Sequence, residues 1–122
     1  MAEKLADLRD PRTTDLNHPQ HITIQISVRN QDTITWVHDQ DFEVVNIHQI
    51  DGGPRMPVDV TKPANPFFRL LPFKGYRETD GLFRANSGPA VPAAIGQRYK
   101  ATSRLSNTLL IDSDFIVGNG WP

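Results

Sequence analysis

The sequence predicts an all-β fold, a two-sheet sandwich of Greek-key type, and three observations carry that expectation. Residues 21–28 (HITIQISV) alternate strictly, with Ile22, Ile24, Ile26 and Val28 on one side and His21, Thr23, Gln25 and Ser27 on the other. A period of two over eight residues is the pattern of a strand with one buried face. Further short apolar runs recur with Gly, Asn, Asp and Ser between them, and little of the chain has helical spacing. Seven of the ten prolines lie between Pro54 and Pro92. Proline cannot donate to a sheet ladder, so this middle region reads as loops, edge strands and short pieces.

The elements follow in order. Residues 1–20 read as an N-terminal arm, free to pack on the domain or to reach a neighbour, and residues 21–122 as the sandwich. Leu5 and Leu8 are spaced for one face of a short helix, which Pro11 would end. After the strand at 21–28, a turn at 29–32 leads to a second strand at 32–37, with Ile34 and Trp36 on one face. A third spans 42–50, and its apolar phase slips between Val44 and Val45, as a β-bulge would make it. Short strands are expected at 67–71 and 81–84. The segment 97–102 turns Tyr99 and Ala101 inward and Arg98 and Lys100 outward. A turn at 105–107 and a last strand at 109–117, broken at 112–114, complete the fold. The expected core is Ile22, Ile24, Ile26, Ile34, Trp36, Val44, Tyr99, Leu109, Ile111 and Val117.

A chain of 122 residues suits one domain and allows a real core. It has no cysteine, which removes thiolate catalysis, Fe–S clusters and Cys-ligated zinc or copper. No apolar leader and no run of about 18 apolar residues is present, so the expectation is a cytoplasmic protein without a membrane span. The net charge of −1 argues against nucleic acid as a partner. The charge is uneven, however. Residues 66–104 hold seven basic side chains against two acidic ones, a balance of +5, which leaves −6 for the remainder.

Residues 31–37 (QDTITWV) resemble the cupredoxin pattern in which a turn and an Asp-Thr-Val run open a strand that ends in an aromatic residue. Residues 95–101 (IGQRYKA) and 111–117 (IDSDFIV) are similar to the closing strands of plastocyanin-like domains. The resemblance implies a cupredoxin-like sandwich. It does not bring the copper centre with it. A blue-copper site needs a thiolate and two imidazoles, usually with a thioether. In the family the Cys, the second His and the Met lie near the last strand. Here there is no Cys, no His follows His48, and the methionines are Met1 and Met56. No cofactor is therefore expected.

The remaining chemistry divides between two sets of residues. His18, His21, His38 and His48, with neighbouring aspartates, form an alternative metal-ligand set. The ordinary reading of these four is surface or half-buried histidine. Asp112 and Asp114 lack the further oxygen ligand and glycine of a calcium loop, so a bulge or turn is the plainer reading. No Gly-x-Ser-x-Gly elbow surrounds any serine, and the Gly52–Gly53 pair has no phosphate-loop lysine. The most unusual stretch is 65–84, where Phe67, Phe68, Phe73, Tyr76 and Phe83 make up five of the ten aromatics. Basic residues are interleaved with them. Aromatics with arginine are enriched at binding hot spots, although phenylalanine is most often core. Phe68, Arg69, Tyr76, Arg77, Phe83 and Arg84 are the candidate binding residues. The preferred function is a non-enzymatic binding or assembly module that meets a protein partner or a second copy of itself. A small metal-binding protein, or an enzyme with an unrecognised site, stands as the alternative.

Overall fold

Alternating side chains, half apolar and half polar, can bury one face only by pairing sheet against sheet. The computed structural model, which describes residues 1–106 and 109–120, does this with two mixed sheets. The strands among the described residues are β1 (Glu3–Asp7), β2 (Ile24–Ser27), β3 (Thr33–His38), β4 (Phe42–Ile50), β5 (Phe73–Lys74), β6 (Tyr76–Arg77), β7 (Phe83–Asn86), β8 (Gln97–Leu105) and β9 (Leu109–Gly118). One sheet has the order β1-β3-β7-β6 and the other β2-β9-β8-β4-β5. Two pairs, β1 with β3 and β2 with β9, are parallel, and the remaining pairs are antiparallel. The all-β sandwich expected from periodicity is therefore present.

The core lies between the sheets. Trp36, Tyr99, Phe73 and Phe115 are its largest fully buried side chains. Phe73 stacks on Trp36 with centroids 5.9 Å apart, and Tyr99 stacks on Phe115 at 5.6 Å. The indole N–H of Trp36 donates to Ser113 Oγ at 3.1 Å across the gap, so its one polar group is satisfied. Ile24, Ile26, Ile34, Val44 and Val117 are buried as expected. Val45 is the bulge, since the β4–β8 register shifts between Val44 and Asn46.

Several expectations need correction. The helix drawn over Leu5 and Leu8 is a strand. Ala6 and Leu8 are buried while Leu5 is 61% exposed, a two-residue alternation that satisfies the parallel edge of β3. The short helix follows Pro11 instead. This is α1 (Pro11–Thr14), with Asp10 as its N-cap accepting from the Arg12 N–H and Pro11 in the first turn, where proline is tolerated. Residues 1–20 thus pack on the domain. Ile22 is 43% exposed because β2 begins only at Ile24. Leu109 is 58% exposed and Ile111 half-buried, since β2 pairs with β9 only over Phe115–Gly118 and leaves the first half of β9 as an open edge. The turn expected at 105–107 reaches Asn107, outside the described residues. β9 is continuous through 112–114. Of the segment 67–71, only Phe67 is bridged, to Ala90.

The chain changes sheets at Gly75. β5 ends the larger sheet and β6 ends the smaller one, with this single residue between them. The Gly75 N–H donates to the Phe42 carbonyl at 2.9 Å. A Cβ on Gly75 would stand 2.9 Å from both that oxygen and the Phe42 ring. The crossing sets β6 at the edge of the smaller sheet and turns Tyr76 outward.

Candidate functional site: the outer face of the smaller sheet

Paired residues on neighbouring strands share a face. Trp36 pairs with Ala85 and Ala6, all three buried, which makes theirs the inner face. Thr35 with Asn86, and Val37 with Arg84, therefore face out, and Tyr76 joins them through its pairing with Arg84. On this face lies an open cleft of about 320 Å³, lined by Glu3, Thr35, Arg69, Lys74, Tyr76, Glu78, Arg84 and Asn86.

The floor of the cleft is a closed polar network. Thr35 Oγ1 donates to Glu3 at 2.7 Å, and Asn86 Nδ2 donates to Thr33 and Thr35 at 3.1 and 2.9 Å. Asn86 Oδ1 accepts from the Gly88 N–H, and its backbone carbonyl accepts from Arg69 at 2.6 Å. The rim is different. Tyr76 is 66% exposed. Arg84 is paired with Asp80 at 2.9 Å and Glu78 at 3.5 Å, and its guanidinium holds the Asp80 carboxyl below the usual carboxylate range. Arg69 and Lys74 are less engaged. Arg69 lies over the Phe73 ring at 5.7 Å and meets no carboxylate within 4.0 Å among the described residues. The nearest carboxylate to Lys74 is Asp41, at 4.0 Å.

Of the six residues singled out in the sequence, Arg69, Tyr76 and Arg84 meet in this cleft. Phe83 does not. It is half-buried and packs against the core, and Arg77 is on its side of the sheet rather than that of Tyr76. Phe68 is 65% exposed in the loop before β5. Phe67 and Phe73 belong to the core. The basic block 66–104 does not form one surface either. Arg98, Lys100 and Arg104 point outward from β8 in the larger sheet, where Arg104 lines a second, smaller cleft with Lys74. Each is neutralised there, by Asp114, Asp112 and Glu43 respectively. Periodicity separates inward from outward residues on one strand but does not say which sheet that strand joins. Lys74, Glu3 and Asn86 were missed for that reason.

A second cluster gathers titratable groups. Asp114 is fully buried on the outer side of β9, next to which α1 packs. Its carboxylate accepts from Arg98 through two nitrogens, meets His21 Nε2 at 2.5 Å and accepts from Thr23 Oγ1 at 3.1 Å. A general base needs a free ring nitrogen facing a substrate. The remaining nitrogen of His21, Nδ1, is buried and has no hydrogen-bond partner. The cluster therefore fits a clamp that fastens the segment between β1 and β2 to the larger sheet. The other histidines are dispersed. His18 and His38 accept the backbone N–H groups of Gln20 and Gln40, and His48 pairs in register with Lys100. Among the described residues no three His, Asp or Glu side chains gather as metal ligands would. No helix among the described residues is long and apolar enough to cross a membrane.

Comparisons with models of protein families, with curated proteins and with solved structures return no match.

Proposed function

We propose that this protein is a non-enzymatic binding module that docks a protein partner on the outer face of its smaller sheet, with Tyr76 at the centre of the contact. One observation carries the reading. A large aromatic side chain, 66% exposed, stands beside cations on an otherwise self-satisfied sheet face. Tyrosine and arginine together supply much of the energy at protein interfaces, since both combine a broad apolar surface with hydrogen-bonding groups. The closed floor under Tyr76 offers little to a small polar ligand, because its donors and acceptors are already used. The buried His21–Asp114–Arg98 cluster is better explained as a clamp than as a catalytic group. The sandwich is read as cupredoxin-like without copper, on the resemblance of its strands and the missing ligands.

Tyr76→Ala tests the proposal, since an exposed side chain can be removed without opening the core. The expected outcome is an unchanged melting temperature and loss of the protein that co-purifies with the wild-type chain from its native cells. Equal recovery with the variant would contradict it.

A further inference from the structure

We infer that the partner presents an extended acidic segment, whose carboxylates are taken by Arg69 and Lys74 in the cleft they line with Tyr76. The inference rests on reading this face as a docking surface and adds the chemistry of what docks there.

Three observations lead to it. The first is the contrast between rim and floor. Thr35, Asn86 and Glu3 satisfy one another, so recognition must come from the rim. Arg84 already has two carboxylates. Arg69 remains as a cation of the cleft with no carboxylate within 4.0 Å among the described residues, and Lys74 has the exposed Asp41 at the long distance of 4.0 Å.

The second is preorganisation. Arg69 donates one N–H to the Asn86 carbonyl at 2.6 Å, lies over the Phe73 ring, and packs its stem against Gly88, where an added Cβ would stand 3.0 Å from its Cδ. Its guanidinium is held in place while other N–H donors stay free for a planar acceptor such as a carboxylate. Holding a long side chain in its bound position before binding removes much of the entropy cost.

The third is charge spacing. Glu3 and Glu78 also line the cleft, so a dense polyanion would be repelled. A peptide spaces its charges, since alternate side chains of an extended chain lie about 7 Å apart. Spaced carboxylates can be offered to Arg69 and Lys74 without crowding Glu3 and Glu78, while the peptide's stem and backbone cover the Tyr76 ring.

The test uses the ¹⁵N-labelled chain titrated with an acetylated, amidated hexapeptide of alternating glutamate and glutamine, with hexaglutamine and inorganic phosphate as controls. The expected result is saturable shifts at Arg69, Lys74 and Tyr76, weakened severalfold as salt rises from about 0.05 to 0.3 M. Lys74→Glu, an exposed change that leaves the spectrum folded, should weaken binding roughly tenfold or more. Arg69→Gln should act the same way, and Lys100→Gln, paired with Asp112 farther along the larger sheet, should have no effect. No shifts at these residues, or equal shifts at Arg98 and Lys100, would overturn the inference. Equal binding of hexaglutamine would overturn it while leaving the docking surface in place. Phosphate saturating the same residues more tightly would assign a small oxyanion site instead. Shifts that depend on protein concentration without peptide would assign a second copy.

Discussion

Asp114 shows how a single residue can be legible in type and illegible in role. Arg98 and Lys100 alternate on β8, and Asp112 and Asp114 on β9, so an antiparallel pairing of the two places opposite charges side by side. That complementarity was present in the sequence. The burial was not, because it depends on His21 and Thr23 arriving from a segment about 90 residues away. A carboxylate taken out of water is tolerable only while its partners remain. Asp114→Ala should therefore cost about 3 kcal/mol by leaving Arg98 without its acid, measured by urea unfolding. A loss below a few tenths would contradict the clamp. Tyr99 gives a second prediction. Its hydroxyl donates to the Pro63 carbonyl at 2.9 Å, and burial pushes its pKa up to about 12. The unfolded chain ionises this tyrosine from about pH 10, where the folded one stays neutral. The stabilisation is whole below pH 10 and declines as pH rises toward 12, by about 2–3 kcal/mol. Tyr99→Phe lacks this decline. The wild type should be the more stable at pH 9, by about 1 kcal/mol for the lost hydrogen bond, and should fall below the variant near pH 12.

At the scale of elements, the clear strands were those whose alternation was long and whose partners were long as well. β3 and β4 were read nearly to their ends, β8 was read from its true start but three residues short, and the bulge at Val45 was visible as a phase slip. β1 was misread because five residues carry two apolar spacings at once. Leu5 and Leu8 suit a helix, Ala6 and Leu8 a strand, and the open edge of β3 decides between them. β5 and β6, two residues each, have no period to read. Their placement comes from the Gly75 crossing. Gly75→Ala should destabilise by about 1–3 kcal/mol, since its methyl group meets a backbone oxygen that cannot move aside alone. Thermal unfolding checks this, and a variant as stable as the wild type would show that the crossing is loose.

Across the whole molecule, the uneven charge of the sequence resolves into two faces with different fates. The basic residues of β8 are matched by acids on neighbouring strands, while near the β5–β6 crossing Arg69 has no carboxylate within 4.0 Å among the described residues and Lys74 reaches Asp41 only at 4.0 Å, beside an exposed tyrosine. Counting charges along the chain could find the excess but could not divide it, because strands adjacent in sequence belong to different sheets. Exposed charges at the rim steer approach more than they hold the complex. Charge reversal at Arg84 should therefore slow association while changing dissociation little, and a stopped-flow or surface-binding measurement that found only a faster dissociation would contradict this. The most direct measurement of the central claim is site-specific photocrosslinking in the native cell, with the crosslinking side chain placed at Tyr76 and, in a control, at Leu16, which is exposed elsewhere on the surface. A discrete protein adduct at position 76 and none at 16 is the predicted result. No adduct at 76, or the same adducts at both positions, would contradict a docking surface on this face.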